Sequence, residues 1–171
     1  MKTNITKPKQ DTARRPARFF ETPLGWMRAE EDANGLTALQ FAEQASAPAD
    51  HPANDSCLYL ADAEAQLKEY FAGKRQRFDI PLSVQGTDFQ RRVWSALQEI
   101  PYGETRCYQE LAAAVGNGKA ARAVGMANNH NPILILIPCH RVIGKTGQLT
   151  GYAAGIDRKQ YLLDLEAGKQ R

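Results

Sequence analysis

Five consecutive aliphatic residues, Ile133 to Ile137, run into Pro138-Cys139-His140-Arg141, and the chain turns apolar again at Val142-Ile143. A short run of branched residues ending at a breaker reads as a buried strand. A cysteine at its end is ordinary, because a thiol packs like a small hydrophobe. A histidine and an arginine directly after it are not, because both are costly to bury without partners. Two readings fit the pattern. The strand ends at Pro138 and reaches the surface by Arg141, or a reactive thiol sits at the strand end with its base nearby.

The rest of the chain bounds the choice. A length of 171 residues allows one ordinary domain or two small ones. No apolar run approaches the roughly 20 residues that span a bilayer, and Met1 to Pro16 is polar rather than signal-like. Three cysteines, Cys57, Cys107 and Cys139, make no disulfide framework, so a reducing cytoplasm is expected. Residues 1–85 carry 11 Lys+Arg against 12 Asp+Glu, and residues 86–171 carry 11 against 7. The positive excess lies in the half with the cysteine, a mild argument for a polyanionic partner.

Periodicity gives the elements. Residues 1–17 read as a flexible tail. Arg18 to Thr22, Gly25 to Glu31 and Leu36 to Phe41 read as short strands, with Asn34-Gly35 a strong hairpin signal. Gln44 to Ser56 reads as a loop. Asp62 is expected to cap a helix presenting Leu67, Tyr70 and Phe71, stopped at Gly73. Phe78 to Leu82 is extended and leads to a boundary near Gly86. Thr87 and Gln90 form a capping-box pattern ahead of Phe89, Val93, Trp94, Leu97 and Ile100 at helical spacing. Helices are then expected from about Tyr108 to Val115 and from about Lys119 to Ala127, joined by Gly116-Asn117-Gly118. That is a helix-turn-helix pattern, which any helical hairpin also produces. Asp157 is expected to cap a last helix ending at Gly168. The fold class expected is α+β: an N-terminal antiparallel sheet with a helix over 18–85, and a mainly helical unit over 86–171.

Several motifs in order carry a resemblance. They are Gly86-Thr87-Asp88-Phe89-Gln90, Ile100-Pro101-Tyr102-Gly103-Glu104-Thr105, Tyr108-Gln109-Glu110-Leu111-Ala112, Ala120-Ala121-Arg122-Ala123-Val124-Gly125, Asn131-Pro132, Pro138-Cys139-His140-Arg141 and Gly151-Tyr152-Ala153. Together they resemble the O6-alkylguanine-DNA alkyltransferases from about Gly86 to Gly168, and more weakly the N-terminal half. The resemblance implies a ribonuclease-H-like N-terminal unit and a DNA-repair activity. One alkyl group would move from O6-alkylguanine in double-stranded DNA to Cys139, once per molecule, with O4-alkylthymine as a further substrate. It implies no cofactor and, with Cys57 and His51 the sole cysteine and histidine in the first 85 residues, no metal. A cytoplasmic, nucleoid-associated monomer is expected.

The resemblance also assigns residues. Cys139 is the nucleophile, activated through water by His140, which Glu166 orients with the logic of a protease triad. Tyr108 offers the departing guanine a proton. Asn131 ties the recognition helix to the active-site segment. Arg122 enters the duplex where the damaged nucleotide leaves, offsetting part of the unstacking cost, while Thr105, Ala121, Ala123 and Gly125 belong to the DNA-binding surface. Tyr152, Ala153, Ala154 and Lys159 surround the base pocket, and Arg141 is structural. The chain departs from the family pattern at Ala153, where some members have serine, and at Ala154, where glycine is common. Cys107 is expected to be a packed thiol and His130 a loop residue. A cysteine hydrolase using Cys139 and His140 and a binding-only helix-turn-helix protein are the rival classes. The first would turn over; the second would have no use for the cysteine.

Overall fold

Three strands open the chain: β1 (Ala17–Thr22), β2 (Gly25–Asp32) and β3 (Gly35–Phe41), paired antiparallel in that order. They are seen in a computed structural model that describes residues 15–43 and 57–169. Most of the expected tail, the expected loop from Gln44 to Ser56, and His51 lie outside the described residues. Gly35 is required at its position, since its φ is +151° and a Cβ there would stand 2.3 Å from the Pro81 carbonyl oxygen. That close approach lets Leu36 donate to Pro81 at 2.9 Å, so the 78–82 segment lies beside β3.

Helix α1 (Leu58–Phe71) covers this sheet with Leu60, Ala63, Leu67 and Tyr70 buried. Asp62 does not cap it, for it lies inside the helix. The cap comes from β2 instead. The buried Glu31 carboxylate accepts from the backbone N–H groups of Tyr59 at 2.8 Å and Leu60 at 2.9 Å. A charge at a helix N-terminus is favourable, but a cap supplied from 28 residues away leaves no local signature. The expected stop does hold, with Gly73 at φ +72° just beyond the helix.

Among its described residues the second half carries four α-helices. These are α2 (Asp88–Gln98), α3 (Tyr108–Ala114), α4 (Ala121–Asn129) and α5 (Ile156–Glu166). Thr87 and Gln90 close the expected capping box on α2, which buries Val93, Trp94 and Leu97. Trp94 donates its indole N–H to the Ala127 carbonyl at 2.9 Å, fixing α2 against α4. Helices α3 and α4 pack together as the expected pair, although α4 begins two residues late, at Ala121. Gly155, at φ +100°, holds the N-cap position of α5, and Asp157 sits in the first turn rather than capping it. A two-residue parallel pairing between β4 (Arg106–Cys107) and β5 (Val142–Ile143) is too short to announce itself in sequence.

The aliphatic run Ile133 to Ile137 is buried as expected but is not a strand. It makes isolated bridges from Leu39 to Ile133 and from Leu134 to Ile137. Between them the chain doubles back. Leu136 donates to the Leu134 carbonyl at 2.8 Å, Ile137 donates to Ile133 at 3.1 Å, and Ile135 adopts φ +72°. A β-branched residue in the left-handed region costs on the order of 1–3 kcal/mol. Burial on every side made the run look like a core strand, since a fully buried segment shows no alternation. The doubling back delivers Pro138 and Cys139 to the centre of the second half.

Candidate active site

A single turn of 3-10 helix, Cys139–Arg141, follows Pro138 and is closed by Arg141 N–H to the Pro138 carbonyl at 3.0 Å. In such a turn successive side chains fan out instead of alternating between two faces. Cys139, His140 and Arg141 are all buried, so the chain does not surface at Arg141. His140 and Arg141 face α5, and Cys139 faces the end of α4.

Glu166, at the last turn of α5, gathers the polar groups. Its Oε1 lies 2.7 Å from His140 Nε2 and accepts from the Tyr70 hydroxyl at 2.7 Å and from Arg141 Nη2 at 3.0 Å. Its Oε2 accepts from Arg141 Nε at 2.8 Å and the Gly103 N–H at 3.3 Å. Burial alone would raise this carboxyl, but the hydrogen bonds from His140 and Arg141 and the Arg141 charge outweigh it and hold it well below the usual carboxylate range. Arg141 also donates to the Ile100 carbonyl at 2.6 Å. Burial pushes the His140 pKa down against the pull of Glu166, so the ring is neutral at pH 7. Its Nε2 is therefore the donor to Glu166, which leaves Nδ1 as an acceptor. That Nδ1 is buried and has no hydrogen-bond partner among the described residues.

On the other side, Asn131 arranges the cysteine. Its amide nitrogen donates to the Ile137 carbonyl at 2.7 Å and to Cys139 Sγ at 3.2 Å, and its oxygen accepts from the Ile133 N–H at 2.9 Å. Burial pushes the Cys139 thiol up to about 11, against the Asn131 amide and the positive charge of Lys159. The resting group is a thiol. Lys159 is fully buried, donates to the Val142 and Thr150 carbonyls, and is lowered to about 8 by burial. The Cys139 sulfur and the His140 ring share no direct hydrogen bond.

Tyr108, the first residue of α3, is half-buried and donates to the Thr150 carbonyl at 3.0 Å. Burial raises its pKa, which keeps the phenol protonated. Helix α4 packs beside its ring at Gly125, where an added Cβ would stand at an ordinary contact distance of 3.8 Å. Tyr152 is buried with no hydrogen-bond partner for its hydroxyl among the described residues, Ala153 is exposed and Ala154 is half-buried against the core. Arg122, Ala123 and Met126 form an exposed face of α4, with Ala121 half-buried beside them and Thr105 exposed at the approach to α3.

The structure thus brings Cys139, Asn131, Lys159 and Tyr108 together around one point, with His140 and Glu166 adjoining. Arg122 stands apart on the surface. Cys107 is a half-buried residue at the start of α3, and its N–H donates to the Glu110 carboxylate at 2.6 Å. His130 is exposed at the end of α4 and bonds the Met126 carbonyl through Nδ1 at 2.7 Å. Sequence reasoning missed two contributors. Asn128, buried on α4, donates to the Cys139 carbonyl at 3.2 Å. Tyr70 was legible only as one apolar position of α1. Among the described residues no group of three His, Cys, Asp or Glu side chains could hold a metal ion. No helix among them is long and apolar enough to cross a membrane.

Comparison with known proteins bears on this geometry. A family model described as 6-O-methylguanine DNA methyltransferase, DNA binding domain, matches residues 88–168, and one described as the ribonuclease-like domain of the same enzymes matches residues 17–84. The methylated-DNA–protein-cysteine methyltransferase of Methanosarcina acetivorans is 49% identical over 151 residues, covering 86% of this chain and 96% of the relative. That of Mycolicibacterium paratuberculosis is 50% identical over 149 residues, covering 87% and 90%. Among solved structures, the Mycobacterium tuberculosis OGT in complex with DNA superposes with a TM-score of 0.79 at 47% identity, covering 90% of this chain and 93% of that one.

Proposed function

The chain belongs to the 6-O-methylguanine DNA methyltransferase family, and we propose that it repairs alkylated DNA with Cys139 as the acceptor. The activity is that of a methylated-DNA–protein-cysteine methyltransferase, and its partner is DNA carrying O6-alkylguanine. The observation that carries the assignment to Cys139 is its sulfur bonded by Asn131 at 3.2 Å, one residue from a histidine held on Glu166 at 2.7 Å.

In the transfer, the Cys139 sulfur forms a bond to the alkyl carbon as the bond from that carbon to guanine O6 breaks. A resting pKa of about 11 means the thiol proton must leave in the course of reaction. His140 is buried and neutral, with Nδ1 uncommitted, and can take that proton through a bridging water. Glu166 then stabilises the imidazolium, while Arg141 keeps the carboxylate ionised. Tyr108 gives its proton to the departing guanine and regains one from solvent. The product is a thioether, which water does not cleave under mild conditions, so each molecule acts once. O4-alkylthymine presents the same kind of electrophile and is a second substrate.

Arg122, with Ala121, Ala123, Gly125 and Thr105 around it, faces the DNA. Its exposed guanidinium on a helix of small residues suits entry into a duplex from which a nucleotide is withdrawn. Tyr152, Ala153, Ala154 and Lys159 surround the extruded base. The two family matches meet between residues 84 and 88, which supports the boundary between 18–85 and 86–171, while Ala17 belongs to β1 rather than to a 1–17 tail. The proposed location is the cytoplasm.

The test is stoichiometry. With excess duplex containing O6-methylguanine, the restored guanines are expected to level off at one per protein chain. Continued restoration would identify a hydrolase.

A further inference from the structure

We propose that Tyr70, on α1 of the N-terminal half, is a positioning residue of the alkyl-transfer relay, acting through Glu166 to set the basicity of His140. The inference rests on the function proposed above. It adds a residue that neither the sequence motifs nor the chemistry of Cys139 required.

The geometry is specific. The Tyr70 hydroxyl donates at 2.7 Å to Glu166 Oε1, the same oxygen that holds His140 Nε2 at 2.7 Å. Tyr70 is fully buried. Its ring is gripped edge-on by Phe71 and Tyr102 and packs against Phe78, with centroids 5.5 to 6.1 Å away, so the hydroxyl has little freedom to leave. Burial beside Glu166 raises its pKa far beyond any working pH, so it is always a donor. A donor on a carboxylate draws charge from it, and the neighbouring imidazole feels less of that charge. Tyr70 therefore makes His140 less basic than Glu166 alone would.

Every charged or titratable group facing His140 belongs in this balance. Glu166 on α5 raises its pKa; Arg141 in the same turn and Lys159 on α5 lower it. Tyr102, ahead of β4, touches the set through the Arg141 guanidinium, 5.8 Å from its ring centroid. Arg141 and Lys159 each bond backbone carbonyls as well, and Gly103 gives Glu166 a backbone N–H. Among the described residues Tyr70 alone enters from the N-terminal half. Apart from His140 itself, it is the neutral side-chain donor on the carboxylate among the described residues, so removing its hydroxyl alters the relay without changing formal charge.

The experiment compares wild type with Tyr70→Phe, which keeps the ring. Two readouts are followed with pH: the single-turnover rate on O6-methylguanine duplex, and the ring-nitrogen NMR shift of His140. The chain has three histidines, which makes assignment direct. In the variant the His140 titration moves to higher pH, and so does the acid limb of the rate profile. At the pH where wild type keeps half its maximal rate, Tyr70→Phe keeps about two- to fivefold less of its own maximum. A purely structural role would scale the rate equally at all pH and leave the His140 titration in place, and that result overturns the inference. Wild type alone gives a further reading. A slowly exchanging Tyr70 hydroxyl proton close to the His140 ring N–H is expected, and its absence also overturns the inference. Failure of wild type to methylate Cys139 would instead sink the proposed function, while the His140 titration would still report on Tyr70.

Discussion

The Asn131 amide holds the Cys139 sulfur at 3.2 Å and the Ile137 carbonyl at 2.7 Å from one nitrogen. Its carbonyl end takes the Ile133 N–H. One side chain at the end of α4 thus fixes both limbs of the doubled-back aliphatic segment and the nucleophile at its exit.

Asn131→Ala is expected to lower stability by about 2–4 kcal/mol, since it leaves a buried carbonyl and a buried N–H unpaired. Transfer should slow as well, because the thiol loses its donor and its register. Urea unfolding and single-turnover rates check the two effects. A variant as stable as wild type would show that the segment holds itself without Asn131.

Acid should destabilise the protein in two stages. His140 is buried neutral with its pKa lowered, so the unfolded chain takes up that proton first. Stability is present above the ordinary histidine value of 6.5 and falls as pH drops below it. Glu166, also lowered, contributes stability that is complete above the ordinary 4.5 and is lost below it, toward its folded value. Urea midpoints from pH 7.5 to pH 3.5 should therefore decline and then steepen. Glu166→Gln should cost roughly 3–5 kcal/mol at pH 7, because it leaves Arg141 buried without its anion, and should flatten the lower stage. A decline of unchanged steepness in that variant would place the titrating group elsewhere.

Arg122 is exposed on α4 and remote from the sulfur's hydrogen bonds. Arg122→Ala should slow repair of duplex far more than reaction with free O6-methylguanine base, since the role proposed for it is extrusion rather than bond cleavage. Cys139→Ala should still bind DNA, with affinity falling as salt rises. Equal loss on both substrates would remove Arg122 from extrusion, and salt-independent binding would make the positive excess of residues 86–171 incidental.

Local chemistry explains which parts of this were readable in the sequence. The strands of the N-terminal sheet, the Thr87–Gln90 box and the α3–α4 pair rest on neighbours in sequence and are found there, with α4 shifted by two residues. Contacts between distant residues were hidden. Glu31 caps α1 in place of Asp62, and Tyr70 reaches Glu166 across 96 positions. The segment from Ile133 to Ile137 misled for another reason. Its apolar run reports burial and nothing about backbone path, so a turn at Ile135 looked like a strand. Glu166 could be picked out through the family resemblance but not by composition or spacing. Its four side-chain and backbone partners come from α1, the α2–β4 loop and the Cys139–Arg141 turn.

The central claim is that Cys139 accepts the alkyl group. Peptide mapping after reaction with duplex carrying a labelled O6-methylguanine tests it most directly. One methyl group is expected on the peptide containing Cys139, with Cys57 and Cys107 unmodified and no label retained by Cys139→Ala. Label on Cys57 or Cys107, or undiminished labelling of the alanine variant, would contradict the assignment.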